Sequence, residues 1–192
     1  MKNNFYPMIF RQKFIKRWGL MRNITEETLS EHSYEVAVLT HALCIIGKTY
    51  FGRNYDTEKA VAVALYHDVQ EVYTGDMPTP AKYYNESMRD NYRKIENSAT
   101  NKLLSMLEPK LALQYGEFLS CKDEEILKIV KSADKLSAYL KCVEECKCNN
   151  SEFKSAKQST FNSLKSYACE ELEYFIEHYL PAFECDLDEL NT

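Results

Sequence analysis

Glycine and proline are both scarce in this chain, five of each in 192 residues. An all-β fold uses these residues for its tight turns, so their shortage argues against one. Long apolar runs are missing too. None approaches the roughly 20 residues that span a bilayer, which argues against a membrane protein. The opening MKNNFYPMIFRQKF has neither the apolar h-region nor the small-residue cleavage site of a secretory signal. Basic charge is in deficit, with 24 Lys and Arg against 29 Asp and Glu, for a net charge of −5. Binders of nucleic-acid polymers normally carry a basic face, so that class is disfavoured. A small anion held in a local cationic pocket is not. The seven cysteines are odd in number and scattered through helix-like sequence, unlike the paired set of a small secreted scaffold. Reduced thiols in the cytoplasm fit better. Cys142, Cys146 and Cys148 cluster, but their spacing lacks the second pair of a common zinc knuckle.

Helical periodicity is present almost throughout. Phe10, Phe14 and Trp18 recur at i, i+4, i+8. His32, Val36, Leu39 and Leu43 follow the same rule behind a cap at Thr28 or Ser30. Val61 and Leu65 follow a cap at Asp56 or Thr57. Met88, Tyr92, Ile95, Ala99, Leu103 and Met106 form a long stripe, and Asp123 caps a helix carrying Ile126, Ile129, Ala133, Leu136, Leu140 and Val143. A last long helix carries Phe161, Leu164, Ala168, Leu172, Phe175 and Tyr179 and stops at Pro181. No segment sustains the two-residue alternation of a strand. With 45% hydrophobic residues, the expectation is one all-α domain over residues 1–192, with six or seven helices and a loop at Asn149-Asn150.

Within this framework ALYHDVQEVYTGDMPTPAK, residues 64–82, concentrates ionisable groups. On a helix, Glu71 lies about 40° around from His67, and Asp68 about 100°. Two carboxylates and an imidazole in one sector repel unless a cation joins them, and a divalent metal would turn that repulsion into coordination. A solvated, charged helix end explains the same residues equally well. Two distant positions bear on the choice. His32 shares the apolar face of Val36 and Leu39, and an inward His needs a partner. Asp134 adjoins Ala133 and Leu136, where a carboxylate is rarely tolerated unless paired or metal-bound. A core His bonded to a carbonyl and an Asp paired with a Lys are the alternatives. His41, about 180° around the helix from His32, and His178 have no such pattern.

The order His32, His67-Asp68, Asp134 across three helices resembles that of the HD metal-dependent phosphohydrolases. RWGLMRN, SEHS, YHDVQEVYTGDMPTPAKY and ADKLSAYLKCVEE, in that order and spacing, are similar to segments of the bacterial 5′-deoxynucleotidases of YfbR type. The likeness runs from about Phe10 to the acidic end of the chain. It implies an HD-domain fold and hydrolysis of deoxyribonucleoside 5′-monophosphates to nucleoside and phosphate. It further implies one divalent transition metal on His32, His67, Asp68 and Asp134. Mixed imidazole and carboxylate ligation suits Co, Mn, Zn or a related ion better than Mg. By the same resemblance Glu71 and Asp76 are the proton-transfer candidates, and the substrate lies against Arg17, Trp18, His32, Asp76, Thr79, Pro80, Ala81, Lys82 and Asp134. Trp18 against the sugar would exclude a ribose hydroxyl. A core anchor is the other reading of Trp18, and an outer partner of His67 the other reading of Glu71. The resemblance also implies a homodimer. Phosphodiesterases and nucleoside triphosphate or pyrophosphate hydrolases share the metal motif, and a non-catalytic helical module is a rival of another class.

Overall fold

A computed structural model describes residues 3–82 and 84–191. Helices dominate, and among the described residues the only extended pairing is an isolated antiparallel bridge between Lys16 and Thr28. The chain forms two compact units. One holds the N-terminal segment to Arg22 with Glu26–Tyr34 and Leu65–Lys122; the other holds Asn23–Thr25, Glu35–Ala64 and the chain from Asp123 onward.

The first unit contains α1 (Phe5–Ile9), a 3-10 turn (Phe10–Phe14), the start of α2 (Leu29–Tyr50), α4 (Glu71–Thr74), α5 (Thr79–Lys82), α6 (Glu86–Leu104) and α7 (Pro109–Leu119). Its core gathers Phe5, Val69, Leu103 and Leu107, with Tyr66, Val72 and Tyr115 packed around them. Phe5 meets Tyr115 edge-on, with ring centroids 4.8 Å apart. The Asn85 side chain caps α6 by accepting from the Met88 amide at 2.7 Å. Thr28 and Glu31 make a reciprocal capping box at the start of α2: Thr28 N donates to Glu31 Oε2 at 2.7 Å, and Glu31 N donates to Thr28 Oγ1 at 3.3 Å. That fixes which residues of α2 face inward, His32 among them.

The second unit is organised on α8 (Glu124–Lys147), with α3 (Thr57–Tyr66, to Ala64), α9 (Phe153–Lys165) and α10 (Glu170–His178). Asp123 caps α8 by accepting from the amides of Glu125 and Ile126. Ile126, Ile129, Ala133, Leu136 and Val143 are buried, and Asn149-Asn150 forms the loop into α9, with Asn149 at φ 60°. Buried Glu145 accepts from the Ile24 and Thr25 amides, both at 3.0 Å, from Lys141 Nζ at 2.6 Å and from Asn150 Nδ2 at 2.8 Å. Burial alone would raise its pKa, but these four donors hold the carboxyl down to about 2.

Several expectations need correction. The helices outnumber the six or seven expected, because short α-helices of four or five residues at Phe5–Ile9, Glu71–Thr74 and Thr79–Lys82 add to the long ones. Phe10, Phe14 and Trp18 do not share a helix face. The 3-10 turn ends where Ile15 turns extended (φ −95°, ψ 115°) to enter the bridge, and Phe10 and Phe14 are exposed. The α6 stripe is narrower than expected, with Met88 and Ile95 exposed. The last helix is two. Cys169 is extended, the Tyr167 carbonyl accepts from Ser132 Oγ at 3.2 Å, and α10 restarts with Glu170, Glu171 and Glu173 at its positive end.

Candidate active site

Two elements of the first unit, α2 and the turn at residues 67–70, position His32, His67 and Asp68. His32 sits one turn into α2 and is fully buried. His67 and Asp68 do not lie on a continuous helix, as the angular reasoning assumed. α3 ends at Tyr66, and residues 67–70 form a turn in which the Asp68 carbonyl accepts from the Glu71 amide at 3.0 Å. The turn still converges on His32. One ligating atom each from His32, His67 and Asp68 lies within 4.8 Å of the others. Asp68 Oδ2 stands 3.1 Å from His67 Nε2 and 3.9 Å from His32 Nε2. The imidazole rings are 5.2 Å apart.

The surroundings suit a cation. Glu71 opens α4 and is 4% exposed, and its Oε2 has no hydrogen-bond partner among the described residues. Burial, with the charges of Asp68 and Asp76 added, pushes its carboxyl up to about 9 against the weaker pull of Arg17 and Lys82. Such a crowd of carboxylates around two imidazoles favours a bound divalent ion, and the nitrogen–oxygen donor set fits zinc, cobalt or manganese. Gly75 ends α4 at φ 69°, where a residue with a Cβ is strained, and so turns the chain into half-buried Asp76.

Arg17 and Trp18 follow the bridge. Arg17 Nη1 is 3.8 Å from Asp68 Oδ2. Trp18 holds φ at 59°, an uncommon conformation for a bulky residue. It is half-buried, and its indole Nε1 donates to Glu27 Oε2 at 2.6 Å. Glu27 was missed in the sequence. It is buried, with Oε1 3.3 Å from Arg17 Nε and 3.4 Å from His32 Nδ1. Burial would raise its pKa; His32, Arg17 and Trp18 together hold it below the ordinary carboxylate value. The signal available was an acidic pair, Glu26-Glu27, directly before a helix cap.

Thr79, Pro80 and Ala81 are exposed on α5, a single helical turn. Lys82 is half-buried. Its Nζ donates to Glu96 Oε1 at 2.7 Å and lies 4.6 Å from the centre of the Tyr92 ring. Asp134 belongs to the second unit, half-buried on α8, with its Oδ2 3.0 Å from Lys135 Nζ. His41 is exposed, and His178 is exposed and stacks on Tyr174 with centroids 4.0 Å apart.

A family model described as "5'-deoxynucleotidase YfbR-like" matches residues 4–183. The chain is 43% identical over 192 residues to a 5′-deoxynucleotidase of Vibrio parahaemolyticus, covering 99% of each chain. It is 44% identical to a 5′-deoxynucleotidase of Pectobacterium atrosepticum, covering 99% of this chain and 96% of that one. Among solved structures it is similar to an HD-domain phosphohydrolase from Listeria innocua, with a TM-score of 0.78 at 21% identity over 98% of this chain and 92% of that one. A cyanophage S-2L HD phosphohydrolase bound to dA and one catalytic Zn2+ ion aligns with a TM-score of 0.67 at 19% identity, covering 91% and 95%. At these identities the two structures show the HD fold.

Proposed function

The chain belongs to the YfbR-like 5′-deoxynucleotidases, and from that membership and the site geometry we propose how it works. The protein hydrolyses deoxyribonucleoside 5′-monophosphates, releasing phosphate and the deoxynucleoside. The observation that carries the site assignment is the convergence of His32, His67 and Asp68 within 4.8 Å, with Arg17 3.8 Å from Asp68.

His32, His67 and Asp68 hold a divalent transition metal, and the family pattern assigns Asp134 as the fourth ligand. When bound, such an ion supplies Lewis acidity toward the phosphoryl group. Arg17 offers a fork of donors to the phosphate oxygens. The Trp18 indole lies against the C2′ edge of the sugar, where a ribose hydroxyl would meet it sterically and lose its own hydrogen bonds. Glu71 carries the proton. Its buried carboxyl holds hydrogen well above the ordinary carboxylate range, which suits delivery to the departing 5′ oxygen. Asp76 is the second carboxylate at the substrate, Thr79, Pro80 and Ala81 line the nucleotide, and Lys82, oriented by Glu96 and Tyr92, adds positive charge.

No helix among the described residues is long and apolar enough to cross a membrane. We assign the protein to the cytoplasm as a homodimer, the latter to be tested by light scattering. The activity is tested by phosphate release from chelator-treated protein reloaded with Co, Mn or Zn, offered dAMP, AMP, dATP and a phosphodiester. Release from dAMP alone among the four supports the reading. Faster cleavage of dATP or the diester would favour the other HD hydrolases.

A further inference from the structure

We infer that Glu27 is a positioning residue that sets His32, Arg17 and Trp18 in a single register. The inference rests on the reading above, in which those three serve the metal, the phosphate and the sugar.

The backbone explains how Glu27 comes to be there. Residues 15–17 run extended against 27–29: Arg17 N donates to the Glu27 carbonyl and Leu29 N to the Ile15 carbonyl, each at 2.9 Å. Successive side chains of extended backbone point to opposite faces. Glu26 therefore turns outward and pairs with exposed Lys16 at 2.5 Å, while Glu27 turns inward and is 6% exposed. A carboxylate so buried requires charged or donor partners. Those present come from three residues assigned to the reaction. Oε2 accepts from Trp18 Nε1 at 2.6 Å, and Oε1 stands 3.3 Å from Arg17 Nε and 3.4 Å from His32 Nδ1.

Each contact has a consequence. With Nδ1 of His32 facing Glu27, the Nε2 side of the ring faces Asp68, 3.9 Å away. An outer carboxylate on a ligating imidazole fixes its tautomer and ring orientation. Trp18 keeps a φ of 59° that its side chain disfavours. Such backbone persists only where the surroundings over-determine it. The Glu27–indole bond and the Met21 amide, which donates to the Trp18 carbonyl at 2.9 Å, do so here. Arg17 is shared between Glu27 and Asp68. One carboxylate thus ties sugar discrimination to metal affinity.

Trp18 is the chain's single tryptophan, so its fluorescence reports the indole environment without any turnover. The variants are Glu27→Ala, Glu27→Gln, Trp18→Ala and the double variant Glu27→Ala/Trp18→Ala, each checked for wild-type helicity by circular dichroism. Glu27→Ala should shift Trp18 emission in the metal-free protein. It should also weaken metal binding by about 10–100-fold, the usual effect of losing an outer partner. The dAMP-to-AMP ratio of kcat/KM should fall, and the double variant should lose no more of it than Trp18→Ala does. Glu27→Gln keeps an acceptor for the indole but loses the charge. It should preserve the emission while weakening the metal, and it carries the test if the alanine variant does not fold. Unchanged metal affinity in a folded Glu27→Gln, or unchanged emission and ratio in a folded Glu27→Ala, overturns the inference. If Trp18→Ala itself leaves the ratio untouched, the sugar-reading assignment fails instead, while emission and metal affinity still decide the role of Glu27.

Discussion

Glu71 offers the sharpest test of the site's electrostatics, because it should set activity against stability. In the metal-free protein its carboxyl holds a proton to about pH 9, whereas an exposed glutamate ionises near 4.5. The folded state therefore binds more protons than the unfolded state between these values, so stability falls as pH rises through the window. At about 1.4 kcal/mol per pH unit over the 2.5 units from 4.5 to 7, the cost at pH 7 reaches at most about 3.5 kcal/mol, and it vanishes below pH 4.5. Glu71→Gln removes the ionisation and keeps the shape. Chelator-treated Glu71→Gln should melt higher than treated wild type at pH 7, by up to ~7–14 °C for a chain of this size. The difference should shrink steadily toward pH 4.5. The same variant, reloaded with metal, should lose about 10²–10⁴-fold in kcat, the range of general acid–base catalysis. Its metal affinity, by calorimetry, should persist. A variant that melts no higher than wild type at any pH from 5 to 8 would refute the claim that burial keeps Glu71 protonated. Retained turnover would refute its role as proton carrier.

Asp68→Asn should weaken metal binding, measured by titration calorimetry, by more than the 10–100-fold typical of losing an outer partner. Metal removal should itself lower stability, since a ligand at 100 times its Kd contributes about 2.7 kcal/mol. Melting with and without chelator checks this. Glu145→Ala should cost about 3–5 kcal/mol in denaturant unfolding, because it leaves the Lys141 ammonium buried without its carboxylate. In the wild type, the contribution of Glu145 is complete above about pH 4.5 and is lost as pH falls toward 2, since its folded pKa is depressed. Gly47→Ala should destabilise by about 1–3 kcal/mol despite the better helix propensity of Ala. The new Cβ would stand 2.8 Å from the Tyr55 ring and 3.0 Å from Glu171, whose carboxylate Tyr55 and Arg53 hold at 2.7 and 3.1 Å. Thermal melts of the variant decide the sign.

Much of this was legible in the chain itself. Thr28, Asp56 and Asp123 read as caps because their side chains can accept from amides one turn on, and each does so or sits where it must: Asp56 Oδ1 takes the Lys59 amide at 3.0 Å. Gly75 ends α4 at φ 69°, a conformation that favours glycine. His32 read as inward from the apolar face it shares. What stayed hidden depends on backbone that periodicity cannot see. The i, i+4, i+8 spacing of Phe10, Phe14 and Trp18 mimics a helix face, yet the isolated Lys16–Thr28 bridge interrupts it, and Trp18 beyond it lies in the left-handed region. Glu26 and Glu27 are the same residue type side by side; only the alternation imposed by that bridge sends one to solvent and the other to His32. The helix break at 166–169 contains no proline or glycine, and the Ser132–Tyr167 contact that accompanies it spans 35 residues.

The central claim is that one metal-bearing site hydrolyses deoxyribonucleoside monophosphates and reads the sugar through Trp18. Steady-state phosphate release from paired deoxy and ribo 5′-monophosphates, by metal-reloaded wild type and Trp18→Ala, tests it most directly. The account predicts efficient release from the deoxy member of each pair, little from the ribo member, and collapse of that preference in Trp18→Ala. Equal release from both members by the wild type, or a preference that survives the loss of Trp18, would contradict it.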